Sequence, residues 1–186
     1  PMDTDIESYY FTEPDYDRLR ETFTRLEFKT FLSYLPNEEV EIFEYDYELL
    51  NKDNIDKTLK EIEEKGSFTF KIFYDEDDYI NSIPVAIGIK AKDYKIKIGI
   101  FTDEFDEETC MDLLAPAFES SAKKISFDIK SDIYYFLKKG HTIENYRDNM
   151  IAEYLIDPSR TSYSVDKQAT EYLNININPL EDLRGK

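Results

Sequence analysis

SFTFKIFYDEDDYINSIPVAIGIKAKDYKIKIGIF, residues 67–101, contains three runs that alternate apolar with polar side chains: SFTFKIFY (67–74), IPVAIGIKA (83–91) and YKIKIGIF (94–101). A period of two sends successive side chains to opposite faces of a strand. An acidic turn separates the first run from the second, and the tight Lys92-Asp93 corner separates the second from the third. Together they predict an antiparallel meander. In the first run Phe68, Phe70 and Ile72 share one face, while Lys71 and Phe73 share the other.

Downstream the period changes. A helix is expected at about 106–121 (Met111, Leu114, Phe118), then a strand KISFD (124–128), then a helix SDIYYFLKKG (131–140) closed by Gly140. A strand, a crossover helix and a further strand imply parallel pairing, so the class is α/β. Two more helices follow, RDNMIAEYLID (147–157) stopped by Pro158 and VDKQATEYL (165–173), with Ser162 or Ser164 as N-cap. Upstream, EPDYDRLRETFTRLEFKTFLSYL (13–35) reads as one amphipathic helix through Leu19, Phe23, Leu26, Phe31, Leu32 and Leu35, with Pro14 at its start. After Pro36-Asn37 come a short strand VEIFEYDY (40–47) and a charged helix (54–65) with Ile55, Leu59 and Ile62 on one face and Gly66 at its end. The division expected is a tail and linker helix over 1–38 and a domain over 39–186.

With 186 residues, 41% hydrophobic and 15% aromatic, the chain can bury a core and is no disordered acidic tail. A net charge of -18 sets its bulk surface against nucleic-acid phosphates, so DNA contact by this stretch alone is expected to be weak or absent. One cysteine, Cys110, excludes an internal disulfide, and one histidine, His141, excludes a site built on paired imidazoles. No apolar stretch reaches the ~20 residues that span a bilayer. The expectation is a cytoplasmic monomer without membrane contact, with Pro1 before Met2 read as a cloning remnant on an excised fragment.

The stretch FDIKSDIYYFLKKGHTIENYRDNMIAEYLIDPSRTSYSVDKQATEYL (127–173) resembles the 3′-5′ exonuclease domain of bacterial family A DNA polymerases, the DNA polymerase I type. LEFKTFL (26–32) is similar to the phrase LEFKSLL that precedes the exonuclease domain there. The family's second motif, N-x-x-x-D, falls on Asp128 and Asp132, so only the metal-binding aspartate, Asp132, is retained. Its first motif, D-x-E, falls on Lys71 and Phe73, and both carboxylates are gone. The third, Y-x-x-x-D, does not occur in NININPLEDLRGK.

The resemblance implies a ribonuclease H-like fold: a mixed sheet of about five strands, the first three antiparallel and the fourth beside the first, with helices on both faces and an N-terminal helix in front. It also implies a parent DNA polymerase I that performs replication or repair synthesis, with the polymerase domain of the same chain as partner and DNA reached through that parent. Magnesium is expected in the polymerase part and no cofactor in this one. Cleavage of a phosphodiester in this fold uses two divalent ions ~3.5–4 Å apart, each held by converging carboxylates. Here the motif face offers an ammonium and a phenyl ring. An ion pair from Lys71 to Asp132 or Asp128 is therefore expected, with no catalytic residue and Asp132 as a vestigial metal ligand.

The acids Asp75 to Asp78 lack the spacing and glycine of a calcium loop and read as a solvated turn. Asp148 reads as a helix-start carboxylate taking backbone N–H bonds, His141 as a surface residue, and Cys110 as a small buried hydrophobe. The leading expectation is an inactive domain that packs against and orients a polymerase. The alternatives are a free-standing acidic binding or inhibitor protein, and an active exonuclease recruiting Asp75 or Glu76 with Asp128 and Asp132.

Overall fold

The structure, a computed structural model, describes residues 13–26, 28–32, 34–36, 45–76, 78, 80–173, 175 and 177. Two compact units divide the chain, residues 1–42 and 43–186.

In the first unit, Asp15 starts α1 (Tyr16–Arg25) by accepting the Arg18 N–H at 3.0 Å. The single helix expected through residue 35 is interrupted, and α2 (Lys29–Leu32) follows as a separate turn. The break lies where the Phe28 N–H bonds the Phe23 carbonyl at 2.8 Å, a five-residue step. A continuous helix would hold those two rings about 140° apart. The interruption lets Phe23, Phe28 and Phe31 gather, with centroids 5.5–6.4 Å apart.

The second unit runs β1 (Tyr47–Leu49), α3 (Ile55–Lys65), β2 (Ser67–Tyr74), β3 (Pro84–Ala91), β4 (Ile96–Ile100), α4 (Glu107–Glu119), β5 (Lys123–Ser126), α5 (Lys130–Lys138), β6 (Tyr146–Asp148), α6 (Asn149–Ile156) and α7 (Val165–Leu173). Most of the strand expected at 40–47 lies outside the described residues, and β1 begins at its end. The sheet order is β1-β4-β3-β2-β5-β6. The expected meander is present as β2, β3 and β4, antiparallel, and β5 pairs beside β2 in parallel. Against the expected five or so strands there are six among the described residues. The addition, β6, is a three-residue edge strand parallel to β5, too short to carry an alternating pattern.

Alternation along β2 buries Phe68, Phe70 and Ile72 against Ile87 and Ile89 of β3, Ile62 of α3, and Leu114 and Phe118 of α4. Phe118 stands edge-on to Phe70 at 4.9 Å and lies 4.5 Å from Phe136 of α5, which ties both helices to the central strand. Gly66 ends α3 in the left-handed region (φ 62), donating to the Ile62 carbonyl at 2.8 Å, so β2 begins at the next residue. At the opposite edge the buried ammonium of Lys97 meets Glu48 of β1 at 2.7 Å and Glu61 of α3 at 3.5 Å, holding the short edge strand to the domain. Among the described residues no helix is long and apolar enough to cross a membrane.

Candidate functional site

The three parallel strands β2, β5 and β6 finish on one edge of the sheet, where an α/β fold leaves a crevice beyond the carboxyl ends of its strands. Thr69 pairs with Ile125, so Lys71, two residues on, lies level with Phe127. Its ammonium donates to the Phe127 carbonyl at 2.8 Å and, more weakly, to that of Asp128 at 3.4 Å. The expected ion pair with a carboxylate of Asp128 or Asp132 is therefore replaced by bonds to backbone. The cause is local: after Ser126 the chain leaves the ladder and turns through Asp128 at φ 52, a left-handed conformation that aspartate tolerates. That turn frees carbonyls for Lys71 and leaves the Asp128 side chain exposed.

Phe73 is half-buried, and the register between β2 and β3 slips between it and Tyr74. The unpaired residue is Val85 of β3, and Tyr74 stays on the core face of β2. The Tyr74 hydroxyl donates to Asp132 Oδ1 at 3.0 Å. Asp132, in the first turn of α5, is 0% exposed, and its Oδ2 has no partner; neither does the buried Ser126 hydroxyl. Burial pushes the Asp132 carboxyl up to about 7, opposed by the Lys71 charge and the Tyr74 bond and assisted by Asp128 and Asp148. Near neutral pH this acid is present in both its charged and its neutral form.

Asp148 acts as the helix-start carboxylate expected of it, accepting from Met150 N–H at 2.8 Å and Ile151 N–H at 3.4 Å. It also accepts from the N–H groups of Asp128 and Ile129, both at 3.0 Å. One carboxylate thereby ties the start of α6 to the turn that leads into α5, and its oxygens are occupied by backbone.

The acidic run forms the β2–β3 turn. Asp75 accepts from the Ile83 N–H at 2.8 Å, and Asp78 from the Ile80 N–H at 2.9 Å and the Asn81 amide at 2.5 Å. Glu76 is exposed, and Asp77 lies outside the described residues. Away from the strand ends, His141 bridges Glu119 (2.9 Å) and Asp112 (3.5 Å) of α4, and the Glu119 bond raises its pKa. Cys110 is buried, its thiol pushed up to about 12 by desolvation.

Sequence reasoning missed Tyr74 and Ser126. Tyr74 shares the core face of Phe68, Phe70 and Ile72, and alternation alone does not show that its hydroxyl meets Asp132. Ser126 is one small residue in an ordinary strand.

Two divalent ions need several converging carboxylates. At these strand ends Asp132 is enclosed, Asp128 points to solvent, Asp148 is taken up by N–H groups, and an ammonium stands beside them. Among the described residues, those at these strand ends do not fit a two-metal centre. Among the described residues, no group of three His, Cys, Asp or Glu side chains is placed to hold a metal ion.

A central antiparallel meander, a parallel strand beside its first member and acids gathered at the strand ends together define a ribonuclease H-like α/β domain of the exonuclease kind. A family model described as 3′-5′ exonuclease matches residues 47–184, and the chain belongs to that family, in its DNA polymerase A branch. It is 25% identical over 178 residues to the DNA polymerase I of Caldicellulosiruptor bescii, covering 95% of this chain and 19% of that protein. With the DNA polymerase I of Pseudomonas aeruginosa the identity is 24% over 209 residues, covering 100% of this chain and 23% of that one. The chain thus spans about a fifth of the length of these relatives. In fold it is similar to the POL domain of Pol1 from M. smegmatis, solved with DNA primer-template and dNTP, at a TM-score of 0.59 and 18% identity over 71% of this chain and 23% of that one.

Proposed function

We propose that this domain is a catalytically inactive 3′-5′ exonuclease domain with a structural role in a DNA polymerase I-type protein that carries out replication or repair synthesis. The observation that carries the reading is Lys71. At the position where the family places a metal-binding aspartate, it puts a cation, and that cation is spent on the carbonyls of Phe127 and Asp128.

A fixed ammonium repels a divalent cation, and Phe73 contributes no oxygen. Asp132, the one ligand position kept, is fully enclosed, and its Oδ1 is taken by the Tyr74 hydroxyl. The functional face of β2 has instead become part of the packing that fixes the turn into α5. What remains is a folded unit whose use is to be carried and packed against, with the polymerase part of the parent supplying magnesium chemistry and DNA contact.

The test is a nuclease assay on single-stranded DNA with magnesium or manganese. No cleavage above a buffer control is expected. Cleavage that disappears in Asp132→Ala overturns the reading.

A further inference from the structure

Helix α6 is inverted. Its one buried residue is a carboxylate, Glu153, 3% exposed and bonded by Arg160 at 2.9 Å and by the Tyr172 hydroxyl at 2.9 Å. Its apolar residues face outward: Ile151 is 50% exposed, Leu155 74% and Ile156 71%. A surface helix of a self-sufficient domain buries its apolar side and exposes its acids. Ile151 and Leu155 also line a groove of about 660 Å³ that runs past Ile133, Tyr146 and the cationic Arg147 to Asp128 and Asp148 at the strand ends. In a chain of net charge -18, Arg147 has no carboxylate partner among the described residues. An exposed apolar surface rimmed by an unmatched charge is the pattern of an interaction site.

We propose that this face of α6 and its groove form the surface on which the polymerase part of a DNA polymerase I chain docks, seating apolar side chains on Ile151 and Leu155 and a carboxylate on Arg147. The inference rests on the scaffold reading above and gives it a location. The occupant follows from length: the matched relatives carry about four-fifths of their polypeptide beyond the matched region, tethered to it. A tethered partner is present at millimolar effective concentration, so a modest apolar face is enough to hold it.

The experiment compares the full-length parent polypeptide with the 186-residue chain, each as wild type, Leu155→Asp, Ile151→Ser and Arg147→Glu. Amide exchange across residues 146–156 is expected to be about tenfold slower in the full-length wild type than in the 186-residue chain. Each substitution should remove that difference while leaving the melting of the 186-residue chain unchanged, because Leu155 and Ile151 have little packing to lose. Equal exchange in both polypeptides, or a reading frame that stops at Lys186, overturns the proposal. So does anisotropy showing that Arg147→Glu weakens binding of a labelled single-stranded oligonucleotide while exchange stays unchanged, which would make the groove a nucleic-acid site. The nuclease assay on the same preparations keeps the two readings apart: cleavage overturns the inactive scaffold, whereas equal exchange in the two wild-type polypeptides overturns only the surface.

Discussion

Replacing Asp132 with asparagine should make the protein more stable at pH 8 and no more stable at pH 5. The native carboxyl is fully buried and its pKa is raised from the 3.8 of an ordinary aspartate to about 7. A folded-state pKa above the unfolded one means that, between about pH 4 and 7, the folded chain holds a proton that the unfolded chain has released. Stability therefore falls as pH rises through that window and levels off above it. The rise from 3.8 to about 7 is worth about 4 kcal/mol, on the order of the cost of keeping the charge buried at pH 8.

Asparagine removes that cost and keeps an acceptor for the Tyr74 hydroxyl. Its amide takes the place where Oδ2 now lacks a partner, and an unsatisfied buried group costs about 1–3 kcal/mol. Because that position is unpartnered in the native protein too, the net expectation is a gain of about 1–3 kcal/mol at pH 8 and little change at pH 5, where the native acid is already neutral. Urea unfolding at four pH values between 5 and 8 measures the difference. His141 acts in the same direction, since its pKa is raised by Glu119 and its contribution is lost as pH rises through the folded value. A background of His141→Gln removes that contribution. A stability difference between Asp132 and asparagine that is the same at pH 5 and pH 8 refutes the reasoning.

Cys110→Ser should destabilise the core by about 1–3 kcal/mol, because it puts a polar hydroxyl in place of a thiol at a fully buried position. In the native chain the Cys110 thiol, buried and pushed up to about 12, should resist iodoacetamide at pH 8 until denaturant is added, as mass spectrometry would show. Glu153→Ala strips Arg160 and Tyr172 of their shared partner and should destabilise the α6–α7 corner by about 2–4 kcal/mol, read as faster amide exchange across residues 149–173.

Most of the fold was legible because its elements are long enough to show their period. The alternation of Phe68, Phe70 and Ile72 against Lys71 and Phe73 fixed the faces of β2, and the spacing of Met111, Leu114 and Phe118 fixed the buried side of α4. The elements missed are those decided by tertiary contact: the break at Phe28, where three rings collect, and β6, whose pairing follows from Asp148 and the edge of β5. In the site, the faces were legible and the partners were not. Alternation places Lys71 beside the acids without showing that the turn at Asp128 offers closer acceptors. Likewise, nothing in NMIAEYLI announces that its glutamate is the residue turned inward.

Because the Lys71 ammonium is bonded to main chain, the position is not an empty ligand site waiting for its aspartate. Returning Lys71→Asp and Phe73→Glu removes two hydrogen bonds that pin the Phe127–Asp128 turn and brings new carboxylates toward the buried Asp132. Loss of those bonds and repulsion between like charges should together cost about 2–4 kcal/mol in metal-free buffer. A cation that binds only the folded double variant would recover part of that cost, so millimolar manganese should raise its urea midpoint and leave that of the native chain unchanged. If the double variant is as stable as the native chain and indifferent to manganese, Lys71 does not hold the turn and residues 71 and 73 do not converge on Asp132. The site would then be a different structure rather than a lapsed one.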